Sequence, residues 1–387
     1  MAAVSTQAPR ITELVLENWR NFARAEVGLQ RRAFLVGPNA SGKSNLLDSL
    51  RFLRDVVRVG GGFQEAVRQR EGISALRCLA ARQNPHISIR VRIGTEAEPE
   101  RWTYQVQFHQ NGKRPAVSSE RVWHGSKLIL ERPDDGDRRD AERLTQTHLE
   151  QVGNNQAFRE VADFLVSIHY LHLVPQLVRD PERSVKVNGT DPYGSDFLDQ
   201  VASTSERTRN ARLKRIVSAL QVAVPQLSEL VLERDDTGRP HLKGKYEHWR
   251  PQGAWQTERQ FSDGTLRLLG LLWVALEGDG PLLLEEPELS LHPGVVRHLP
   301  RLFARIQHKK GRQILISTHS PDLLRDEGIG LDEVLLLVPG REGTDVRLAS
   351  RMMDVPALLE GGLSLPDVIL PRTEPANAVQ LSLFDLE

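Results

Sequence analysis

From Ile11 to Glu17 apolar and polar residues alternate, the period of a strand with one face covered. Beyond Trp19–Phe22 a second short strand is predicted at Val27–Leu29, and Ala33–Val36, apolar throughout, predicts a buried one. At Ser44 the period changes, with Leu46, Leu47, Leu50, Phe52 and Leu53 at helical spacing. A glycine-punctuated segment containing Gly60–Gly62 follows. His86–Ile93, Trp102–Phe108, Ala116–Trp123 and Leu128–Leu130 read as successive strands, and Asn111-Gly112 supplies a hairpin turn. They predict an antiparallel sheet beside a parallel core. Residues 133–142, with Asp134, Asp135, Asp137, Arg138, Arg139 and Asp140, predict a solvated loop. Helical patterns return at Asn155–Phe164 and Asp196–Val224, the latter ending near Pro225; no heptad pattern persists, so no long coiled-coil arm is expected. From Phe261 to the mid-330s strands and helices alternate again, as the second half of one α/β core would.

The organisation expected from this pattern has six parts. They are the first part of the core over 1–80, an antiparallel β subdomain over 81–180, a helical insertion over 181–250, the second part of the core over 251–345, an extension over 346–370, and a tail over 371–387.

Composition narrows the picture. Of 387 residues 39% are hydrophobic and 26% charged, ordinary for a chain that buries a core. Lys+Arg and Asp+Glu both number 51, so bulk charge gives no argument for nucleic acid. The single cysteine, Cys78, excludes an internal disulfide framework and any multi-cysteine metal site, and nothing around it marks a nucleophile. Met1–Arg10 has no apolar run of the signal-peptide kind. Leu266–Leu276 contains Arg267 and is only about half the length a membrane span needs. A cytoplasmic protein with no membrane partner is the expectation.

The chemistry starts at Gly37-Pro38-Asn39-Ala40-Ser41-Gly42-Lys43-Ser44, which satisfies G-x-x-x-x-G-K-[ST] directly after a buried strand and at a helix start. Glycines let backbone N–H groups turn in around phosphate oxygens, and the helix N-terminus adds unpaired donors and its positive dipole end. Lys43 is placed to reach the β/γ-phosphates and the Ser44 hydroxyl to ligate Mg2+. Pro281-Leu282-Leu283-Leu284-Glu285-Glu286-Pro287-Glu288 is an apolar strand whose carboxylates must emerge at its C-terminal edge, where doubly wound sheets bind ligands. Glu285 is expected to hold Mg2+, and Glu286 to orient the attacking water or act as general base. Taken alone, the acids fit a solvated loop equally well. Phe261-Ser262-Asp263-Gly264-Thr265 is a Ser–Gly turn before an apolar helix, an anion-binding geometry that ordinary capping also explains. Gln313-Ile314-Leu315-Ile316-Ser317-Thr318-His319-Ser320 is another buried strand ending in polar residues.

In this order the motifs resemble the ABC-ATPase head of the SMC/RecF class, and more closely the standalone ATPases of the AAA_21 type, related to the head of OLD-family proteins. The resemblance covers most of residues 10–340 and includes Asn18-Trp19-Arg20-Asn21-Phe22, matching that class's N-terminal signature. It implies an α/β fold of the P-loop NTPase kind, with an antiparallel β subdomain and a helical insertion. It implies that Arg20 and Asn21 approach the nucleotide. It makes Phe261–Thr265 the signature motif, with Ser262 and Gly264 contacting ATP on the other subunit of a homodimer. Glu286 becomes the catalytic carboxylate, His319 the switch histidine, and Ser290-Leu291-His292-Pro293 the loop crossing the dimer seam. ATP and Mg2+ are the implied cofactors, and a DNA transaction in repair, recombination or defence against mobile DNA is the implied setting.

Some features depart from the wider pattern. Glu285 stands where Asp is usual, and Asp263-Gly264-Thr265 replaces the transporter-like Gly-Gly-Gln. Gln83 is the candidate for the Q-loop glutamine. OLD proteins carry a C-terminal TOPRIM nuclease, but too little chain follows His319 for one, so any nuclease or other effector is expected as a separate chain. A non-hydrolysing ATP-sensing scaffold and a transporter ATPase subunit are the rival readings.

Three further features carry alternatives. Gln380-Leu381-Ser382-Leu383-Phe384 resembles the pentapeptide by which bacterial polymerases and repair proteins dock on the sliding clamp; a tail folded over its own core is the other reading. His169-Tyr170-Leu171-His172 reads as an apolar strand with satisfied side chains rather than a metal site. Arg179 and Arg183 read as a solvated basic face, with a phosphate- or DNA-facing edge as the alternative.

Overall fold

The computed structural model describes residues 8–81, 84–180, 191, 193–248 and 254–374. Strands β1 (Arg10–Trp19), β2 (Phe22–Gly28), β3 (Arg32–Val36), β4 (Ile87–Gly94), β5 (Trp102–Asn111), β6 (Arg114–His124), β7 (Lys127–Arg132) and β8 (His169–Leu171) precede β9 (Leu227–Arg234), β10 (Pro240–Tyr246) and β11 (Ala254–Thr257). Then come β12 (Leu282–Glu285), β13 (Ile314–Thr318), β14 (Val334–Gly340) and β15 (Gly343–Leu348). They form three sheets: a six-stranded one in the order β2-β1-β4-β5-β6-β7, a three-stranded one, β11-β10-β9, and a second six-stranded one, β15-β14-β3-β13-β12-β8. The first is antiparallel. In the last, β14, β3, β13, β12 and β8 run parallel, and only β15 is antiparallel to its neighbour.

The apolar strands lie inside because both their faces are covered. Successive residues separate by the two-residue period of a strand. Leu35, Leu283 and Leu315 join the core shared with the helix Lys43–Val57 and the antiparallel sheet. Phe34, Val36, Leu282, Leu284, Ile314 and Ile316 face the other way, into a core with the helices Asp263–Leu276 and Leu299–Lys310. The antiparallel sheet keeps the alternation of a half-covered one, and in β5 buried and partly exposed residues take turns from Trp102 to His109.

Three expectations change. The chain over 181–250 is not a purely helical insertion. After the helices Phe197–Ser203 and Glu206–Leu220 it enters β9 and β10, turned at Asp235, whose carboxylate accepts the Thr237 and Arg239 amides at 2.9 Å each. The charged stretch 133–142 is not wholly solvated. It contains the short helix Asp135–Arg139, and Asp137 is buried against Arg132 at 2.9 Å. The antiparallel sheet draws β1 and β2 from the first 80 residues as well, and β2 starts at Phe22 rather than Val27. Cys78 is free and buried. Among the described residues no helix is long and apolar enough to cross a membrane. Gln83, Arg183 and the peptide Gln380–Phe384 lie outside the described residues.

A candidate nucleotide site at the ends of three parallel strands

In the parallel sheet β13 lies between β3 and β12. The three strands point the same way, so the loops after Val36, Glu285 and Thr318 emerge at one edge. This brings together motifs that are far apart in sequence, at the carboxyl ends where open α/β sheets bind ligands.

The phosphate loop is built for close backbone approach. A Cβ on Gly37 would lie 2.5 Å from Ser41 Oγ and 2.8 Å from the Leu337 carbonyl, and one on Gly42, at φ 97°, would lie 2.1 Å from Asn21 Nδ2. Lys43 opens the helix and folds back across the loop, its Nζ donating to the carbonyls of Gly37 at 2.8 Å and Pro38 at 3.1 Å. Burial lowers its pKa, against the raising effect of Glu286, Glu285 and Glu288. Asn21 braces the loop from behind: its Nδ2 donates to Ser41 O at 2.8 Å and Thr344 Oγ1 at 2.7 Å, and its Oδ1 accepts from Asn45 at 2.9 Å. The Arg20 guanidinium lies 3.4 Å from Asp48, one turn along the helix from Ser44. Pro38, Asn39 and Ala40 form the partly to fully exposed crest of the loop.

The Ser44 hydroxyl donates to one oxygen of Glu285, and the Tyr170 hydroxyl donates to the other. Ser44 and Glu285 together form an all-oxygen pair at the helix start, the donor set a hard cation such as Mg2+ takes. Burial and the neighbouring carboxylate hold the Tyr170 pKa well above 10, so the phenol stays a donor. Glu286 sits at φ 43°, in the left-handed region, its amide donating to Ser317 O at 3.0 Å. Its carboxylate lies 3.1 Å from His319 Nδ1. Glu288 is buried against the Thr318 hydroxyl, one of its oxygens has no partner, and burial raises its pKa. Left-handed non-glycine residues, each costing roughly 1–2 kcal/mol, gather around the site. Arg20, Ala40, Glu286 and Ser290 all have positive φ.

The Ser–Gly turn is fixed separately. Ser262 caps the helix Asp263–Leu276 by accepting from the Thr265 amide at 3.1 Å, yet stays exposed. A Cβ on Gly264 would lie 2.5 Å from the carbonyl of Ser290, so that loop packs directly on the turn. His292 caps the next helix through its Nδ1, which accepts from Gly294 at 3.0 Å. Arg179 is not part of a solvated face: it donates at 2.6 Å both to the Phe261 carbonyl and to Asp263. Beside the phosphate loop, a hollow of 550 Å3 opens between Pro38, Asn39 and His319 on one side and Pro366, Asp367 and Leu370 on the other.

Tyr170, Arg179 and the 366–370 segment are the neighbours that motif reading passed over or misread. For Tyr170 the available signal was a phenol in a short strand between His169 and Leu171. Arg179 left no signal, because Asp263 is its neighbour in space and not in sequence.

A glycine-lined loop after a parallel strand, a lysine curled within it and carboxylates on a nearby strand end define the class: a P-loop nucleoside-triphosphatase fold. The chain belongs to the AAA_21 family, described as "AAA domain, putative AbiEii toxin, Type IV TA system", whose model matches residues 32–325. It therefore carries an ATPase-family domain. No curated protein matches the chain. Among solved structures it is similar to an Smc head bound to the C-winged helix domain of ScpA, with a TM-score of 0.53 and 14% identity over 87% of this chain and 96% of that one. The Pyrococcus yayanosii Smc head with coiled coil and joint gives 0.53 at 12% identity, over 92% and 100%. The Pyrococcus furiosus Smc head, with an extended coiled coil and bound to the C-terminal domain of ScpA, gives 0.52 at 11%, over 91% and 100%. Likeness at such identities is one of fold.

Proposed function

We propose that the chain binds and hydrolyses ATP, and that two copies close around two nucleotides to control a DNA transaction in repair, recombination or defence. The observation that carries this is the meeting of Lys43, the Ser44–Glu285 pair and the Glu286–His319 pair at one sheet edge. Lys43 and the backbone N–H groups of residues 39–44 take the phosphates. Ser44 and Glu285 would hold Mg2+, which supplies charge neutralisation at the β- and γ-phosphates. Glu286 orients water and accepts its proton, while His319, bonded to Glu286, senses the γ-phosphate and keeps the carboxylate aimed. Hydrolysis ends the clamp.

Exposed Ser262 and the Gly264–Ser290 contact suit a surface that completes the site of a second copy. The Smc heads in two of the similar structures are bound to ScpA domains, and by analogy a separate effector chain is assigned here. The peptide Gln380–Phe384 is proposed to dock on the bacterial sliding clamp. The head itself is assigned to 1–80 and 251–345.

The test is sizing with light scattering. Glu286→Gln with ATP should run as a dimer, and Lys43→Ala as a monomer that no longer holds nucleotide. A monomeric Glu286→Gln protein with ATP bound would refute the clamp. Absence of phosphate release from the wild-type chain, with and without DNA, would favour the non-hydrolysing scaffold.

A further inference from the structure

Glu285 departs from the aspartate its family resemblance leads one to expect, and its surroundings explain how the longer side chain is managed. β8 pairs with β12 in parallel, with Tyr170 opposite Leu283 and Leu171 opposite Leu284. Glu285 lies two residues beyond Leu283, so the two-residue period puts Leu283, Tyr170 and Glu285 on one face of the sheet. The two oxygens of Glu285 are then divided, one to the Ser44 hydroxyl and one to the Tyr170 hydroxyl.

The phenol is itself held. The Arg51 guanidinium stacks on its ring, 5.2 Å from the centroid. Arg51 is anchored by Asp48 at 3.4 Å and Asp55 at 3.8 Å. It also lies seven residues after Ser44, two turns along the same face of one helix. One helix face therefore supplies both the hydroxyl that meets Glu285 and the cation that fixes the tyrosine bracing it. An aspartate, one methylene shorter, would not span from β12 to both groups.

We propose that Tyr170 is a positioning residue for the cation-holding carboxylate: by occupying one oxygen of Glu285 it fixes the other at Ser44, and so sets how tightly the nucleotide site takes a divalent cation. The inference rests on the reading of Glu285 as a metal-holding group. Without the phenol, the extra methylene leaves Glu285 free to swing away from Ser44, and the cation must recover that order on binding.

The experiment titrates Mg2+ against binding of a fluorescent, non-hydrolysable ATP analogue to the full chain. Tyr170→Phe keeps the ring on Arg51 and loses only the hydroxyl. It should raise the Mg2+ needed for half-saturation about tenfold, as loss of one charge-assisted hydrogen bond does, with Mg2+-free binding of the analogue unchanged. In a Glu285→Asp background the same Tyr170→Phe change should have no further effect, because the shorter carboxylate does not reach the phenol. If Tyr170→Phe matches wild type while Glu285→Ala raises the Mg2+ requirement, the tyrosine inference is overturned and the metal reading stands. If Glu285→Ala also matches wild type, the metal reading falls and takes the inference with it. An equal loss from Tyr170→Phe in both backgrounds would mark the tyrosine as structural packing and refute the positioning role.

Discussion

Replacing Glu150 by Gln should make the protein more stable in mild alkali and change it much less in mild acid. Glu150 is largely buried at the start of the short helix Phe63–Arg68, where its carboxylate accepts the Phe63 amide and borders a hollow of 680 Å3. Burial pushes its pKa up from 4.5 to about 7; the Phe63 N–H opposes this and the charge of Glu120 adds to it. Between those two pH values the folded protein keeps a proton that the unfolded chain has released, so stability falls as pH rises through the window and levels off above it. At about 1.4 kcal/mol per pH unit the whole window is worth about 3 kcal/mol, an order-of-magnitude upper value. Gln cannot ionise and can still accept from Phe63. Its gain should therefore be about 1–3 kcal/mol at pH 8 and below about 1 kcal/mol at pH 5. His169 slopes the other way, since burial and Arg312 push its pKa down to about 4. It is common to both proteins and cancels in their difference. Urea unfolding of the two proteins from pH 5 to pH 8 measures the effect. A difference that does not change with pH, or a Gln variant less stable at pH 8, would refute the reasoning.

Two further outcomes follow from named contacts. Arg132 is fully buried, 2.9 Å from both Glu120 and Asp137; Arg132→Leu strands two buried carboxylates and should cost about 3–5 kcal/mol, seen as a lower Tm, and an unchanged melt would count against it. Gly264→Ala places a Cβ 2.5 Å from the Ser290 backbone carbonyl, so it should abolish ATP-dependent dimerisation of the Glu286→Gln protein while nucleotide binding by the monomer persists; a dimer that still forms would show that the turn is not part of the interface.

What the sequence disclosed about the fold depended on whether one period was dominant. Ala33–Val36 and Leu282–Leu284 are apolar without a break, and a strand covered on both faces is the natural home for them. β9 was hidden because Leu227, Leu230 and Val231 fit the helical spacing and not the strand one, whose alternation is broken by a register shift between Leu227 and Glu229, and it follows a long helix. What settles it is non-local. β10 pairs along its whole length, and Gly244 leaves room for Phe261, which a Cβ there would approach to 2.9 Å. The 133–142 stretch misled for a similar reason, since charge density says nothing about which acid finds a buried partner, and Asp137 found Arg132 on the preceding strand.

The site shows the same division in sharper form. Phosphate loops, acidic strand ends and capping turns are built from consecutive residues, because what they arrange is backbone around one strand end, and consecutive residues leave a pattern that can be read. Their supports come from other elements: a turn, a helix end and a neighbouring strand. Asn21 reaches Ser41 and Thr344, Arg179 reaches Asp263, and Tyr170 reaches Glu285, each across a gap that no local spacing encodes. The pair order β3-β13-β12-β8 decides which strand stands next to the acidic one, and only with that order known does Tyr170 become a neighbour of Glu285 rather than the residue between two histidines. A glutamate for an aspartate looks like a conservative change within the motif. In the sheet it is a change in reach, which the adjacent strand must meet with a partner of matching length.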